Sequence, residues 1–551
     1  MKFSSRTKFS IYNYAPYVFL IAGVFAAYGN VYKNAFLLDD EFLIIKNTYL
    51  RFWGDLPKLL TLNSTAGAGG FDAFYRPLQG LLYFIVYQLS RLSTFGFHFL
   101  NVALHAGNAV LVFVLGQRLG FNRRGAFAAA LLWAIHPVHT EAVTYMSATA
   151  DPLYALFCLG GLCVLLPDFS LPRMVWGCLL FALALLAKET AIVFPLLAML
   201  CLFAVSKQRW QARFYLKTWP LWAVAGVYLL LRFTVLQMDN LRFYHNPNPY
   251  SEDLVARVLT FIATLPTYFR LLVWPNDLHM SRNFPVFISL WNWPVLAGLF
   301  ALFGAAGIVG RTIFTRGKSF LALSFGISWF AIAHVLHTGV FLPVNALMLE
   351  HWLYLPSVGL ALGLAESVVT VGSSTGLIRL ADPASPKGYA AAGARRWIPA
   401  FAGMTPGVVV SAFALLLGSL TYRQNTFWRE PIVFYETILR YGDRSMNAYN
   451  NLGMAYAVRG DFDRAIEMYR AAIALSDTFA QPHHNIARVL LSMPEDKQNI
   501  PEAIAELERA IEINPKFFQS YVSLAEIFSK LGNAAKSEAY QRKAEEILQG
   551  R

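Results

Sequence analysis

About eleven apolar runs, nearly free of charge, fill the first 430 positions of this 551-residue chain, near 12–32, 98–118, 125–141, 149–166, 172–187, 190–205, 216–236, 292–311, 319–341, 351–371 and 407–422. A helix needs about 20 mostly apolar residues to cross a bilayer. In lipid the backbone must satisfy its own hydrogen bonds, which leaves helices as the form these runs can take. The whole chain is 56% hydrophobic and 14% charged, against about 25% charged in a soluble domain, and the charge is concentrated in the last hundred or so residues. The expected fold class is all-α: a polytopic transmembrane bundle of about eleven spans followed by a water-facing domain.

The net charge of +13 would suggest nucleic acid in a soluble protein, but here much of it sits in short loops between spans. Arg118, Arg123 and Arg124 form one cluster, Lys207, Arg209 and Arg213 a second, and Arg311, Arg316 and Lys318 a third. With the basic start MKFSSRTKFS in the cytoplasm and each run crossing once, all three loops fall on the cytoplasmic side, as the positive-inside rule requires. No nucleic-acid partner is expected. The N-terminal run lacks a small-residue cleavage site and reads as a retained first helix. Two further apolar stretches, 77–93 and 255–274, would invert the topology after them if counted, and are assigned to the outer interface. The outer loops are then 33–97, 142–148, 237–291 and 342–350, and everything after 422 lies outside, in the periplasm of a Gram-negative host whose inner membrane holds the bundle. Residues 372–406, rich in Gly, Pro and basic side chains, read as an inserted cytoplasmic loop. Cys158, Cys163, Cys178 and Cys201 lie in apolar runs without zinc-ligand spacing and read as packing residues.

The C-terminal part repeats itself. Tyr449, Leu452, Gly453, Tyr456, Ala465, Tyr469 and Ala472 align with His483, Ile486, Ala487, Leu490, Ala503, Leu507 and Ala510, and a third copy begins at Tyr521, Leu524, Ala525 and Phe528. Gly453, Ala487 and Ala525 are 34 and 38 residues apart, so the second unit carries four extra residues, placed in MPEDKQN. A helix pair cannot bury its apolar face alone, and small residues let successive helices approach, which is the physics of the 34-residue tetratricopeptide repeat. The domains read as 1–422, a connecting helix over 423–445, and three repeats over 446–551. The array offers a concave surface for a polypeptide, or a docking device.

Polar side chains interrupt the apolar pattern mainly on the outer side. Asp39, Asp40 and Glu41 follow the first span; an unpaired buried carboxylate is expensive, so they are either a solvated helix end or a general base for an acceptor hydroxyl. Arg76 in FYRPL can fork onto phosphate oxygens or anchor the interface. His98, Asn101, His105 and Asn108 recur at helical spacing on one stripe of a span, a pattern that faces a partner or cavity rather than lipid. His136, His139, Glu141 and Asp151 cluster near the next outer turn. The first three could ligate a metal but lack strict i, i+4 spacing, so a divalent ion is an open question and no cofactor is required. Lys188, Glu189, Glu350 and His351 interrupt later runs at outer ends.

The motifs LLDDEFLIIKN, FYRPL, FHFLNVALHAGNA, HPVHTEAV, AKETA, EHWLYLPSVG and FWREP, followed by the repeats, occur in an order that resembles the GT-C membrane glycosyltransferases that carry tetratricopeptide repeats, similar to transmembrane O-mannosyltransferases. The resemblance implies an inverting transfer of a sugar, mannose among the candidates, from a polyprenyl-phosphate donor to an acceptor hydroxyl on protein or glycan at the outer face. It assigns Asp39 or Asp40 to the acceptor. Glu141 and Asp151 become further acids of the cavity, and Arg76, Lys188 and His351 candidates for the donor phosphate. His98, His105, His136, His139, Glu189 and Glu350 complete the expected lining. Two positions depart from the pattern, Thr149 before Asp151 and Trp352 after His351, where the family often has Arg. The alternative is a non-catalytic membrane scaffold whose repeats recruit envelope proteins.

Overall fold

The structure, a computed structural model, describes residues 14–70, 74–206, 211, 215–236, 249–280, 282, 284–315, 317–341, 346–374, 406–441 and 445–549. All regular elements among them are helical. The compact units divide between Trp428 and Arg429, where the sequence reading ends the first domain at 422.

The first unit contains thirteen principal helices among the described residues: α1 (Ala15–Ala27), α2 (Pro77–Ser90), α3 (Thr94–Arg118), α4 (Arg123–Ala134), α5 (Ala150–Leu165), α6 (Leu171–Ala187), α7 (Phe194–Val205), α8 (Trp219–Thr234), α9 (Leu254–Val273), α10 (Trp293–Thr315), α11 (Lys318–His334), α12 (Pro356–Ser374) and α13 (Pro406–Asn425). Among the described residues six segments are long and apolar enough to cross a membrane: α3, Met146–Leu165, α9, Trp293–Thr312, Lys318–Thr338 and Gly407–Trp428. Shorter apolar helices occur at Ala15–Ala27, Leu171–Ala187, Glu189–Val205 and Pro356–Gly372. The chain is a multi-pass membrane protein. Most of the inserted loop expected at 372–406, and the basic residues Lys207, Arg209, Arg213 and Arg316, lie outside the described residues.

Hydrogen bonds between helix ends define one pole of this bundle. Asn425 at the end of α13 donates to Ala27 O at the end of α1 (3.0 Å), and Thr94 at the start of α3 donates to Tyr32 O (3.2 Å). Lys188, just past α6, reaches Asp151 in the first turn of α5. α9 has the length and hydropathy of a span, where the sequence reading places an interfacial helix. Its second half meets this pole, where the Tyr268 hydroxyl donates to Leu349 O (3.3 Å) and Leu272 O lies 3.0 Å from His136 Nε2; Thr260, two turns earlier, accepts Phe287 N–H (2.9 Å). α2 likewise holds the pole through Gln79, whose amide donates to Ser147 O (2.8 Å), and Tyr83, whose hydroxyl donates to Met146 O (2.7 Å).

One continuous core, including Phe113, Leu159, Phe194, Trp329 and Tyr354, joins α1, α3–α8 and α11–α13, while α9 and α10 share a smaller cluster around Leu259 and Val295. α11 and α12 approach most closely at glycines. A Cβ on Gly359 would lie 2.3 Å from Trp329 Cβ, and one on Gly363 2.4 Å from Ala322 O. GLALG (359–363) is thus the small-xxx-small contact by which helices associate in lipid, where burial of apolar surface gives no drive. Cys158, Cys163 and Cys201 are buried free thiols and Cys178 is half-buried.

The second unit comprises α14 (Pro431–Arg440) and three antiparallel pairs: α15 (Met446–Arg459) with α16 (Phe462–Leu475), α17 (Ala480–Ser492) with α18 (Ile500–Ile513), and α19 (Phe518–Lys530) with α20 (Ala534–Gln549). Ser445, Asp461 and Asn499 cap helix starts with side-chain oxygens, satisfying otherwise orphaned N–H groups. Gly453 fits because a Cβ there would come within 2.6 Å of Tyr469. The extra residues of the second repeat fall between α17 and α18, where Glu495–Lys497 form a short 3₁₀ turn.

Candidate active site

The adjacent acids after α1 are set apart by a strained turn. Leu38 has φ +51°, a left-handed conformation that costs a side-chain-bearing residue free energy and tends to mark functional sites. The turn is locked on both sides: Asp40 N–H donates to Leu37 O (3.0 Å) and Leu37 N–H returns a bond to Asp40 Oδ2 (2.8 Å). The Ser147 hydroxyl donates to the other carboxylate oxygen. Asp40 is therefore 1% exposed with both oxygens taken, and burial pushes its pKa up to about 7, against the hydrogen bonds from Leu37 and Ser147. Asp39 is exposed, yet surrounding protein crowds it. That crowding raises its pKa, while the Tyr145 hydroxyl and the Arg76 cation pull it back. Its backbone N–H donates to Tyr145 Oη (2.9 Å). Glu41 pairs with Lys46 (2.6 Å) at the start of a π-helical turn, Glu41–Ile45.

Beside Asp39 stands a cationic cluster. Arg76, immediately before α2, forks onto Glu189 with Nη2–Oε1 at 3.0 Å and Nε–Oε2 at 3.3 Å, and its guanidinium lies 4.5 Å from the Phe74 ring. Arg232, near the end of α8, donates to the Tyr228 hydroxyl (3.1 Å) and acts electrostatically on the same Glu189. With Arg76 forked on Glu189 and Arg232 acting on it electrostatically, two cations stand near one carboxylate, a grouping that can receive a phosphate.

The other interrupting residues pair with one another. Lys188 Nζ lies 2.7 Å from Asp151 Oδ1, both nearly fully buried. Glu141, 0% exposed, accepts the backbone N–H groups of Glu350 (2.8 Å) and His351 (2.9 Å), with His351 Nδ1 2.7 Å from its second oxygen. Glu350 accepts His279 N–H (2.9 Å). Lys188, His351 and Arg76 thus all meet carboxylates in the folded chain, and Arg76 also acts electrostatically on the exposed Asp39.

The polar stripe of α3 binds the protein itself. His98 Nε2 lies 3.2 Å from Asn34 O; Asn101 donates to Tyr145 O (3.1 Å); His105 sits between Tyr354 Oη and Ala134 O, each at 2.7 Å; Asn108 donates to Pro152 O (2.8 Å). His98 and His105 are fully buried. Thr149 donates inward to Asn101 Oδ1 (2.5 Å). His136 accepts Val138 N–H (3.2 Å) and faces Leu272 O (3.0 Å), while His139 is buried among Trp133, Tyr354 and His105. Among the described residues no three His, Cys, Asp or Glu side chains come together in a way that could hold a metal, so His136, His139 and Glu141 do not form such a group.

Sequence reasoning passed over several residues. Tyr145 and Ser147 hold Asp39 and Asp40, and Trp428 of FWREP stacks on Tyr145 (5.6 Å, 26°). Arg232, inside the apolar run at 216–236, is another such residue. Trp352 stacks on His337 (5.2 Å). His334 and His337 are buried with both ring nitrogens unpaired; spacing within an apolar run gave no hint of this.

The fold and this pole describe a multi-pass membrane protein with acids and cations gathered at one end of its bundle and a tetratricopeptide domain at its C-terminus. Family models of the tetratricopeptide repeat match residues 447–479 and 518–547. Over 94% of its length the chain is 25% identical to the mouse protein O-mannosyl-transferase TMTC3, and over 92% it is 25% identical to the human protein of that name. The fruit-fly protein O-mannosyl-transferase Tmtc1 is 29% identical over 46% of the chain and 32% of its own length. The chain spans 58% of the length of the two TMTC3 relatives. Among solved structures, ArnT from Cupriavidus metallidurans bound to undecaprenyl phosphate aligns over 94% of this chain and 92% of its own, at 14% identity and a TM-score of 0.41. An Archaeoglobus fulgidus oligosaccharyltransferase aligns over 82% of this chain and 59% of its own, at 13% identity and a TM-score of 0.39. The resemblance carried by the motifs thus holds across nearly the whole chain: it is similar to the transmembrane, repeat-bearing O-mannosyltransferases.

Proposed function

We propose that this protein is a membrane glycosyltransferase that moves a sugar, mannose by analogy with its relatives, from a polyprenyl-phosphate donor to an acceptor hydroxyl at the outer face. The observation that carries the reading is an accessible carboxylate, Asp39, within electrostatic reach of Arg76 in the Arg76–Glu189–Arg232 cluster. Asp39 takes the acceptor proton as the acceptor oxygen bonds to the sugar's anomeric carbon. The bond from that carbon to the donor phosphate breaks on the opposite side, inverting the centre, and polyprenyl phosphate leaves. Arg76 and Arg232 offset the charge that grows on the phosphate, the kind of preorganised stabilisation that dominates many enzyme rates. Asp40, with both oxygens occupied, positions Asp39 rather than touching the acceptor. On this reading the chain makes eleven crossings with α2 and α9 along the outer interface, the acids face outward, and the repeats receive a polypeptide acceptor.

The test is transfer of radiolabelled mannose from polyprenyl phosphate by purified full-length protein. Asp39→Asn is expected to lose about 10²–10⁴-fold in rate, the usual scale for a general base. Wild-type transfer that survives Asp39→Asn unchanged would remove the base assignment. A wild-type protein inert toward a panel of lipid-linked sugars and acceptors would favour the scaffold reading.

A further inference from the structure

The described residues of the bundle enclose an apolar groove of about 2150 Å³ whose contents the proposed reaction does not need. α4 and α12 line it, with α10 and α13 on its walls and the second half of α9 at one end. The two wall helices are poorly packed: 11% of the spanning window of Trp293–Thr312 is buried, and 17% of that of Gly407–Trp428. Gly298 at the start of α10 packs tightly on Ile262 of α9, but further along the wall helices a Cβ on Gly304 or Gly418 would meet nothing within 4 Å. A slot of this kind in a bilayer fills with hydrocarbon, since water would find few partners on its aliphatic and aromatic lining.

Charge at the ends decides which hydrocarbon. Arg123 and Arg124, both exposed, line one end at the start of α4. Asn122 caps that helix, accepting the N–H groups of Arg124 (2.9 Å) and Gly125 (3.4 Å). Arginine pairs with phosphate oxygens through its planar fork, and a helix start adds partial positive charge. Glu366, which accepts Asn122 N–H (2.8 Å), stands at the same helix start and offsets part of that charge. The far end has no such anchor: His136 already faces Leu272 O and Val138 N–H. Along α4 the twelve residues Arg123–Ala134 span about 18 Å at 1.5 Å per residue, so an acyl chain reaching in from the Arg123 end, with roughly 15 Å of hydrocarbon to fill in its own leaflet, lies along them.

We infer that this groove holds a resident anionic glycerophospholipid, its phosphate on Arg123 and Arg124 and its acyl chains between α10 and α13. The lipid seals two helices that otherwise bury little surface and ties them to α4 and α12. This assignment is independent of the sugar-transfer reading and survives its failure.

The test is native mass spectrometry and lipid extraction of full-length protein purified in neutral detergent. One phosphatidylglycerol-class lipid per chain is expected to remain through the wash. Arg123→Gln with Arg124→Gln should lower its occupancy about tenfold. Gly304→Phe, which the open space tolerates, should displace it without touching the headgroup site. After delipidation, phosphatidylglycerol should raise the melting temperature of wild type and phosphatidylcholine should not. That add-back uses wild type only, so it decides the matter even if the arginine variant misinserts. Retention of a zwitterionic lipid or an isoprenoid phosphate in place of the anionic lipid, the absence of any bound lipid, or equal rescue by both lipids would overturn the proposal.

Discussion

The backbone N–H of Asp39 donates to the hydroxyl oxygen of Tyr145 at 2.9 Å, so the accessible acid is aimed by a ring 106 residues further along the chain. Tyr145 is itself stacked on Trp428 and receives Asn101 on its carbonyl. Next to it, Thr144 donates to Asn425 Oδ1 (2.8 Å). The base of the proposed reaction therefore rests on α3 and on the end of α13, although its own segment is a short strained turn.

Removing that hydroxyl gives a pH-resolved prediction. Tyr145 lowers the Asp39 pKa, against the larger raising effect of crowding, so Tyr145→Phe lets it rise. A base must be deprotonated to act. The acid limb of the kcat/KM profile should move to higher pH in the variant, and transfer at pH 6 should fall more than at pH 8. A uniform loss at all pH values would show that Tyr145 matters only for packing.

The cationic cluster predicts a split between donor and acceptor parameters. Arg76→Gln should raise the KM for the lipid-linked donor about tenfold or more, because it removes a forked, charge-assisted contact. The KM for acceptor should change little. Glu189→Gln releases Arg76 from its carboxylate and should weaken donor use less than Arg76→Gln. An unchanged donor KM in Arg76→Gln would transfer the phosphate role elsewhere in the bundle.

Lys188 and Asp151 form a buried ion pair, and breaking such a pair leaves an uncompensated charge that costs about 3–5 kcal/mol. Lys188→Met and Asp151→Leu should each lower the melting temperature of the detergent-solubilised protein sharply. The double substitution should recover much of the loss, since a well-packed apolar pair can replace a buried ion pair. Additive destabilisation in the double variant would contradict this account.

In the repeats, His483 is held between Glu506 (2.5 Å) and Asp477 (2.7 Å). Burial disfavours its charge, but the hydrogen bonds it donates to Glu506 and Asp477 outweigh this and raise its pKa. A raised histidine pKa stabilises the fold fully below its unfolded value of about 6.5, and that stability is lost as pH rises through the folded value. Hydrogen exchange in α17 of the full chain should speed up across this window beyond its intrinsic pH dependence. His483→Gln should flatten the excess.

The apolar runs and the repeat period were legible because both are properties of a single segment: twenty residues without charge, or a small residue returning every 34. Partnership was less legible. Asp39 and Asp40 are neighbours of the same type, and only the Leu38 turn and Ser147 turn one to solvent and the other inward. The stripe His98, Asn101, His105 and Asn108 correctly marked a face of α3 that avoids lipid. Sequence could not tell whether that face meets a ligand or main-chain carbonyls, since both require the same side chains. α9 shows the same limit from the other side: its hydropathy is that of a span, and nothing in its own sequence announces that Tyr268 and Leu272 meet Leu349 and His136.

The spacing of that stripe has an evolutionary consequence. Four side chains on one helix latch four separate stretches of backbone, at Asn34, Tyr145, Ala134 and Pro152. Each residue of an α-helix turns the next by about 100°. Inserting or deleting one residue at the start of α3 would leave every apolar neighbour apolar, but it would swing the latches downstream of the change away from their carbonyls together. Tolerance to point substitution and intolerance to length change should therefore coexist in this helix, which acts as a key cut to a single depth.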